Sequence, residues 1–348
     1  AGVPSEAAGA GEDDLPWVEI SGGPPPPRRS RQWIARMCTP WYKGPNCSNV
    51  EEWSGVVQLR VGGATIRGAR MKTAGHVSKL FPKKQYHLEL PSATSILGMP
   101  AARTWGLAMS FVDTSFQRNP LAFDIYRRLG GWATQHRYVN LRWHGEDFGL
   151  YYFVERLERG PGRLQLPAAD PRRPATSGYL LSVDWPSGAA SVQTPNTSTF
   201  FNFVYPAAPA ASQLAVVQDL ADRVDGCAAA YGGGGGCGLR DVLDFDSWAR
   251  YFVLEELAKD VDGYAFSDFA SIVDGKLRSA APWDFDLAFG FACMPLYFRN
   301  ALTDENSAMT APRAGTWRTS GTAPRGRAAT AGRTPASSSS APTAGSSS

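Results

Sequence analysis

The sequence predicts an α+β fold in two lobes, the first built on an antiparallel sheet and the second mostly helical. Between residues 56 and 90, and again between 137 and 157, apolar and polar residues alternate with the two-residue period of strands. Between residues 212 and 259 the period lengthens to that of helices. The chain has 348 residues, 43% apolar, 11% aromatic and 19% charged, enough for about two domains of ~100–200 residues. That composition excludes collagen-like and fully disordered chains.

Residues 1–14 are small and acidic, Pro24 to Pro27 favour an open conformation, and order is expected from about Leu15. Strands follow at VVQLRV, at ATIRGARM after the Gly62-Gly63 turn, and at KKQYHLEL. In the last of these, the pleat puts Lys84 on the apolar side with Tyr86, Leu88 and Leu90, while Lys83 falls on the other face. Asn119-Pro120 reads as a cap followed by proline at the first helical position, opening a helix that stops at Gly130-Gly131. RYVNLRW and FGLYYFVERL flank a polar turn at His144 to Asp147, a hairpin. This first lobe spans about 15–158, and a proline-rich connection leads to a second lobe over about 159–306.

In the second lobe, SQLAVVQDLADRVD and SWARYFVLEELAK read as helices. Asp246-Ser247 is the expected cap of the latter, with Trp248, Tyr251 and Phe252 on its buried face. A hairpin turning at Asp274-Gly275 comes next. Residues 307–348 form a low-complexity tail that reads as disordered.

Net charge is +3, but all of the excess lies in the tail, where five arginines face no acid between 311 and 348; residues 1–310 carry −2. A nucleic-acid binder concentrates basic charge on a folded face, so nucleic acid is not an expected partner. No apolar run reaches the ~18 residues of a membrane-spanning helix. The five cysteines fall as Cys38/Cys47, Cys227/Cys237 and Cys293, without the spacing of a zinc site. With glycosylation acceptors at Asn46 and Asn196, they point to an oxidising, secretory compartment with disulfides. The chain opens at Ala1 without methionine or a visible signal peptide, as a mature or trimmed form would. The four histidines show no ligand spacing.

The densest chemistry lies at residues 260–290. An acidic turn holding Asp262 and Asp268 leads into the hairpin, which ends on Trp283-Asp284-Phe285-Asp286. Read as a strand, WDFD buries Trp283 and Phe285 and sets Asp284 and Asp286 on one face, roughly 6.6 Å apart at ~3.3 Å per residue. Such a carboxylate cluster repels itself unless a divalent cation or hydrogen bonds offset the charge. A base Asp, a metal-ligand residue, a hairpin and a metal-binding Asp follow one another in this order in the catalytic half of a protein kinase. In that order Asp262 is the base, Asp268 the first metal ligand and Asp284 the magnesium ligand, with Asp286 a secondary ligand. Lys84 is then the phosphate-binding lysine, with Lys83 as its rival.

These residues resemble the CotH (spore coat protein H) family of atypical, often secreted protein kinases. The resemblance runs from about Leu15 to Gly290. It rests on LPWVEI, IRGARM with PKKQYHLEL, LGMPAARTWGLAMSFVDTSFQRNPLAFDIYRRLG, GLYYFVERLERGPGRLQL, GYLLSVDW, EELAKDVDGY and PWDFDLAFG, in the family's order. It implies a bilobal, protein-kinase-like fold with ATP and Mg²⁺ (or Mn²⁺) between the lobes, and transfer of phosphate to Ser or Thr of a protein substrate. By position it assigns nucleotide binding to Lys84, catalysis to Asp262 and metal binding to Asp284. Two weaker nucleotide-site candidates are Arg67, before Gly68, and Glu155, at the strand end where a kinase hinge would lie. The chain departs from the family's Lys-Asn-x-Asp-Gly-Tyr in having Asp260, and after Gly290 it continues as FACMPLYFRN. Those departures keep two other expectations open: a pseudokinase acting as an extracellular or coat binding protein, and a glycosidase using Asp284 with Asp286.

Overall fold

Seven strands close into a barrel in the first half of the chain. They are β1 (Trp17–Ser21), β2 (Ser54–Val61), β3 (Ala64–Ala74), β4 (Gln85–Ile96), β5 (Met99–Ala108), β6 (His136–Trp143) and β7 (Glu146–Glu155), in the order β1-β2-β3-β4-β5-β7-β6. Neighbours are antiparallel except β1 and β6, which run parallel with Val18 opposite Leu141 and so close the barrel. The computed structural model describes residues 15–23, 53–75, 77–80, 83–187, 190–230 and 237–290, all within one compact unit spanning Ala1–Ala311.

The alternation read from the sequence fills the barrel. Tyr86, Leu88, Leu90, Trp105, Trp143 and Phe153 are among the buried side chains of one continuous interior cluster. Edge-to-face packing of Tyr86 on Trp143, at 5.6 Å between ring centres, is one of its contacts. Each such side chain contributes about 1.5–3 kcal/mol relative to exposure.

A second sheet of five strands follows, in the order β12-β11-β8-β10-β9. Its strands are β8 (Tyr179–Val183), β9 (Ser191–Gln193), β10 (Phe200–Tyr205), β11 (Asp268–Val273) and β12 (Lys276–Ala281). Among the described residues, four α-helices accompany the two sheets: α1 (Arg118–Arg128), α2 (Ala211–Ala229), the single-turn α3 (Leu239–Val242) and α4 (Phe245–Ala258). α2 lays Val217 and Leu220 against the second sheet, while α1 and α4 share a core of their own through Phe123, Tyr126, Tyr251 and Leu254. Among the described residues, no helix is long and apolar enough to cross a membrane.

This architecture corrects the predicted fold class. The chain is mostly β, with a closed barrel and a second sheet, and not an antiparallel-sheet lobe followed by a kinase-like helical lobe. The strands of the second sheet are short and mostly buried, β8 at four of its five positions. They therefore lack the polar alternation that marks a half-exposed strand. Closure of the barrel depends on β5 and on the parallel β1–β6 pairing, neither of which leaves a local signal.

Smaller expectations are also revised. Asp244, not Asp246, caps α4, its carboxylate accepting the Ser247 N–H at 3.0 Å. Phe252 is 56% exposed and so is not part of that helix's buried face. The hairpins turning at His144-Gly145 and Asp274-Gly275 are present as read; the helix before Gly130 is present too, but it starts at Arg118 after Gln117, so Asn119 and Pro120 lie within its first turn rather than at the cap and first helical position. The N-terminal segment, the Pro24–Pro27 run, Cys38, Cys47, Asn46, the Gly232–Gly236 run, Cys293 and the tail lie outside the described residues.

Candidate active site

The site is built where α4 ends and where β12 runs out. α4 stops at Lys259, whose left-handed backbone (φ 51°) closes the helix. The chain then turns tightly, the Asp262 carbonyl accepting the N–H groups of Ala265 (3.1 Å) and Phe266 (3.0 Å), and enters β11 at Asp268. After β12, Trp283 to Leu287 do not continue as a strand. Asp284 adopts a left-handed conformation (φ 64°, ψ 44°) and starts a one-turn 3-10 helix, Phe285–Leu287. That corrects the reading of WDFD as an alternating strand: Asp284 and Asp286 stand on either side of a buried Phe285, on a turn. Positive φ at a non-glycine residue is strained, and Lys259, Tyr264, Ser267, Asp284 and Phe289 all show it around this site.

Packing holds the 3-10 turn from beneath. Phe285 enters the core between α1 and α4, and Leu287 joins the barrel interior that contains Tyr86. Asn119 Oδ1 accepts the Phe285 N–H at 2.7 Å, and Arg118 Nε donates to the Ala288 carbonyl at 2.9 Å. The fully buried Asp113 in turn accepts the Arg118 N–H at 3.0 Å and pairs with its guanidinium.

These turns bring four of the predicted carboxylates, Asp262, Asp268, Asp284 and Asp286, into one electrostatic neighbourhood. Ser267 Oγ donates to Asp284 Oδ2 at 3.4 Å, joining the acidic turn to the 3-10 turn. Asp284 is reached by solvent although protein surrounds its carboxyl; that crowding, then Asp262 and Asp184, raises it to about 6. Asp286 is pushed well up by burial, then by Asp284, Asp260, Asp113 and Asp262. Asp262 is raised by burial and by Asp184. Burial lifts Asp268 to about 7; it accepts the Tyr251 hydroxyl. Burial, then Glu255 and Asp284, lifts Asp260 to about 8.

The remaining predicted residues lie elsewhere. Lys84 sits one residue before β4, 8% exposed, and its Nζ donates to the Lys79 carbonyl. Its own carbonyl accepts the Tyr151 hydroxyl at 2.9 Å. Tyr151 belongs to the barrel interior that Leu287 also joins. Lys83 Nζ donates to the Leu150 carbonyl at 2.5 Å and lies 4.5 Å from the Tyr151 ring centre. Arg67 is exposed on β3. Glu155 is fully buried at the end of β7, accepting the Gln135 N–H at 2.8 Å with Arg163 Nε 3.8 Å away. Burial raises it. Sequence reasoning missed Asp113, Asp184, Glu255 and Ser267. Asp113, Asp184 and Glu255 stand in stretches the resemblance had picked out, although none was singled out there; Ser267 lies outside them.

A hard divalent cation fits the donors in kind: among the described residues, the charges that raise Asp284 and Asp286 are other carboxylates, and a cation would relieve that repulsion. Among the described residues, no three His, Cys, Asp or Glu side chains are arranged to hold a metal by themselves. Magnesium commonly takes one or two carboxylates and completes its shell with water and substrate phosphate. Asp284 and Asp286 would be those ligands.

The family model described as CotH kinase protein matches residues 65–324. The chain belongs to that family. The CotH match begins in β3 and takes in every candidate residue from Arg67 to Asp286. No curated protein matches the chain.

Proposed function

We propose that this CotH-family chain is a phosphotransferase that uses ATP with Mg²⁺ or Mn²⁺ to phosphorylate Ser or Thr hydroxyls of a secreted or surface protein. The observation that carries the reading is the meeting of the Asp262 turn with Asp284 and Asp286. It sets a carboxylate that can accept a proton beside carboxylates suited to a cation. When bound, the cation would neutralise phosphate charge, the main demand of phosphoryl transfer.

In this reading Asp262 orients the acceptor hydroxyl and takes its proton at a carboxylate oxygen, a role its raised affinity for protons favours. Asp284 and Asp286 are the metal ligands, and Asp268 supports them from the start of β11. Lys84 provides positive charge for phosphate at the barrel end, and exposed Arg67 is a more distant candidate for the same task. Glu155, engaged with Gln135 and Arg163, acts by fixing the end of β7. Asn119 and Arg118 position the 3-10 turn.

A second reading, a protein that binds nucleotide without turnover, is favoured by Asp260 standing where the family carries Asn. Incubation with labelled ATP, Mg²⁺ and a Ser/Thr-rich protein distinguishes them. Transfer by the wild type, reduced about 100-fold or more in Asp262→Asn, supports the kinase. Nucleotide binding without transfer supports the second reading, and equal transfer by both proteins removes Asp262 from the mechanism.

A further inference from the structure

We propose that Cys227 and Cys237 are a thiol pair that closes reversibly into a disulfide between the end of α2 and the start of α3. Both are free thiols here. Cys227 lies in the last turn of α2, 7% exposed, while Cys237 is exposed. Cys227 Sγ donates to the Cys237 carbonyl oxygen at 2.8 Å. Packing, rather than chance, keeps them close. α2 is fixed by Val217, Leu220 and Ala221, and α3 by Val242, in the same core under the second sheet. Gly238, with φ 65°, turns the chain from Cys237 into α3.

The difference in exposure orders the chemistry. An external disulfide of the glutathione class meets Cys237 first. The Cys237 thiolate attacks one of its sulfurs, forming a mixed disulfide and expelling one glutathione thiolate, which takes up a proton. The hydrogen bond with Cys237, and then burial, hold the Cys227 thiol up at about 11. Cys227 then gives up its proton, attacks the Cys237 sulfur and expels the second glutathione. Two protein thiols are oxidised and one glutathione disulfide is reduced to two thiols.

The link ties α2 to the segment that enters α4 through the Asp244 cap, and α4 carries the acidic turn at its far end. The proposal does not depend on the kinase reading. The full chain is equilibrated with oxidised glutathione or with dithiothreitol, alkylated and digested with trypsin. The peptide 224–240 contains Cys227 and Cys237 and no other cysteine. The expected result is that this peptide is two hydrogens lighter and carries no alkyl group after oxidation, and regains two alkyl groups after reduction. Cys237→Ser should remove the oxidised form while leaving the fold intact by circular dichroism. Two alkylated thiols after oxidation, a persistent glutathione adduct at Cys237, or a link from either residue to Cys38, Cys47 or Cys293 would overturn the proposal.

Discussion

Asn119 and Phe285 lie 166 positions apart, yet the buried Asn119 carboxamide oxygen accepts the Phe285 backbone N–H at 2.7 Å. The same N-terminal turn of α1 that the sequence marks as a helix start therefore fixes the turn bearing Asp284 and Asp286. Asn119→Ala would leave that N–H buried without a partner, at about 1–3 kcal/mol. Urea denaturation should show this loss, and titration with Mg–ATP should show weakened binding in protein that is still folded. Unchanged binding would mean that the 3-10 turn does not depend on Asn119.

Stability without divalent cation should decline as pH rises from about 4.5 to 8. Glu255, raised to about 8 by burial and then by Glu256, keeps its proton in the folded chain where the unfolded chain has lost it. Its contribution is therefore full below about pH 4.5 and is lost as pH rises through 8, and Asp260, Asp268 and Asp284 act in the same direction. His87 and His136, lowered to about 4 chiefly by burial, oppose this. Their cost grows as pH falls from 6.5 to 4, because only the unfolded chain takes up the proton. With four raised carboxyls against two lowered imidazoles, urea midpoints should fall as pH rises from about 4.5 to 8, and Glu255→Gln should make that fall shallower.

Gly263 and Glu255 should be coupled. A methyl group at Gly263 would lie 2.3 Å from Glu255 Oε2, and both oxygens of that 3%-exposed carboxyl lack a hydrogen-bond partner among the described residues. Gly263→Ala is expected to cost about 1–3 kcal/mol by overpacking. In a Glu255→Ala background, thermal melting should show a smaller penalty for the same change. An equal penalty in both backgrounds would place the strain elsewhere.

The two lysines before β4 should separate. Lys84→Met is expected to weaken ATP binding about 10-fold or more, the scale of a lost charge-assisted contact. Lys83→Met, whose amine is held by the Leu150 carbonyl and the Tyr151 ring, should affect melting temperature more than affinity. Fluorescent-nucleotide titration of both variants checks this, and the reverse ranking would exchange their roles.

What could be read from the sequence was whatever leaves a local mark. The pleat of β4 put Lys84 on the side of Tyr86 and Leu88, and Asp274-Gly275 supplied the positive φ of a tight hairpin. The acids of the site were visible as residues, but their geometry was not. WDFD alternates like a strand, and only tertiary packing, with Phe285 between α1 and α4 and Leu287 in the barrel, makes it a 3-10 turn. Asp184 joins the cluster from β8 because β11 pairs with that strand, a contact between segments far apart in sequence. Apart from the β11–β12 hairpin, the second sheet was hidden for the same reason, since buried strands such as β8 show no polar face to alternate with.

Calorimetric titration of Mg–ATP into the folded chain, beside Asp284→Asn, bears on the carboxylate site as a whole. Saturable binding that requires the cation and is lost in the variant is the expected result. Equal binding by both proteins, or none by the wild type, would contradict a cation–nucleotide role for Asp284 and its neighbours.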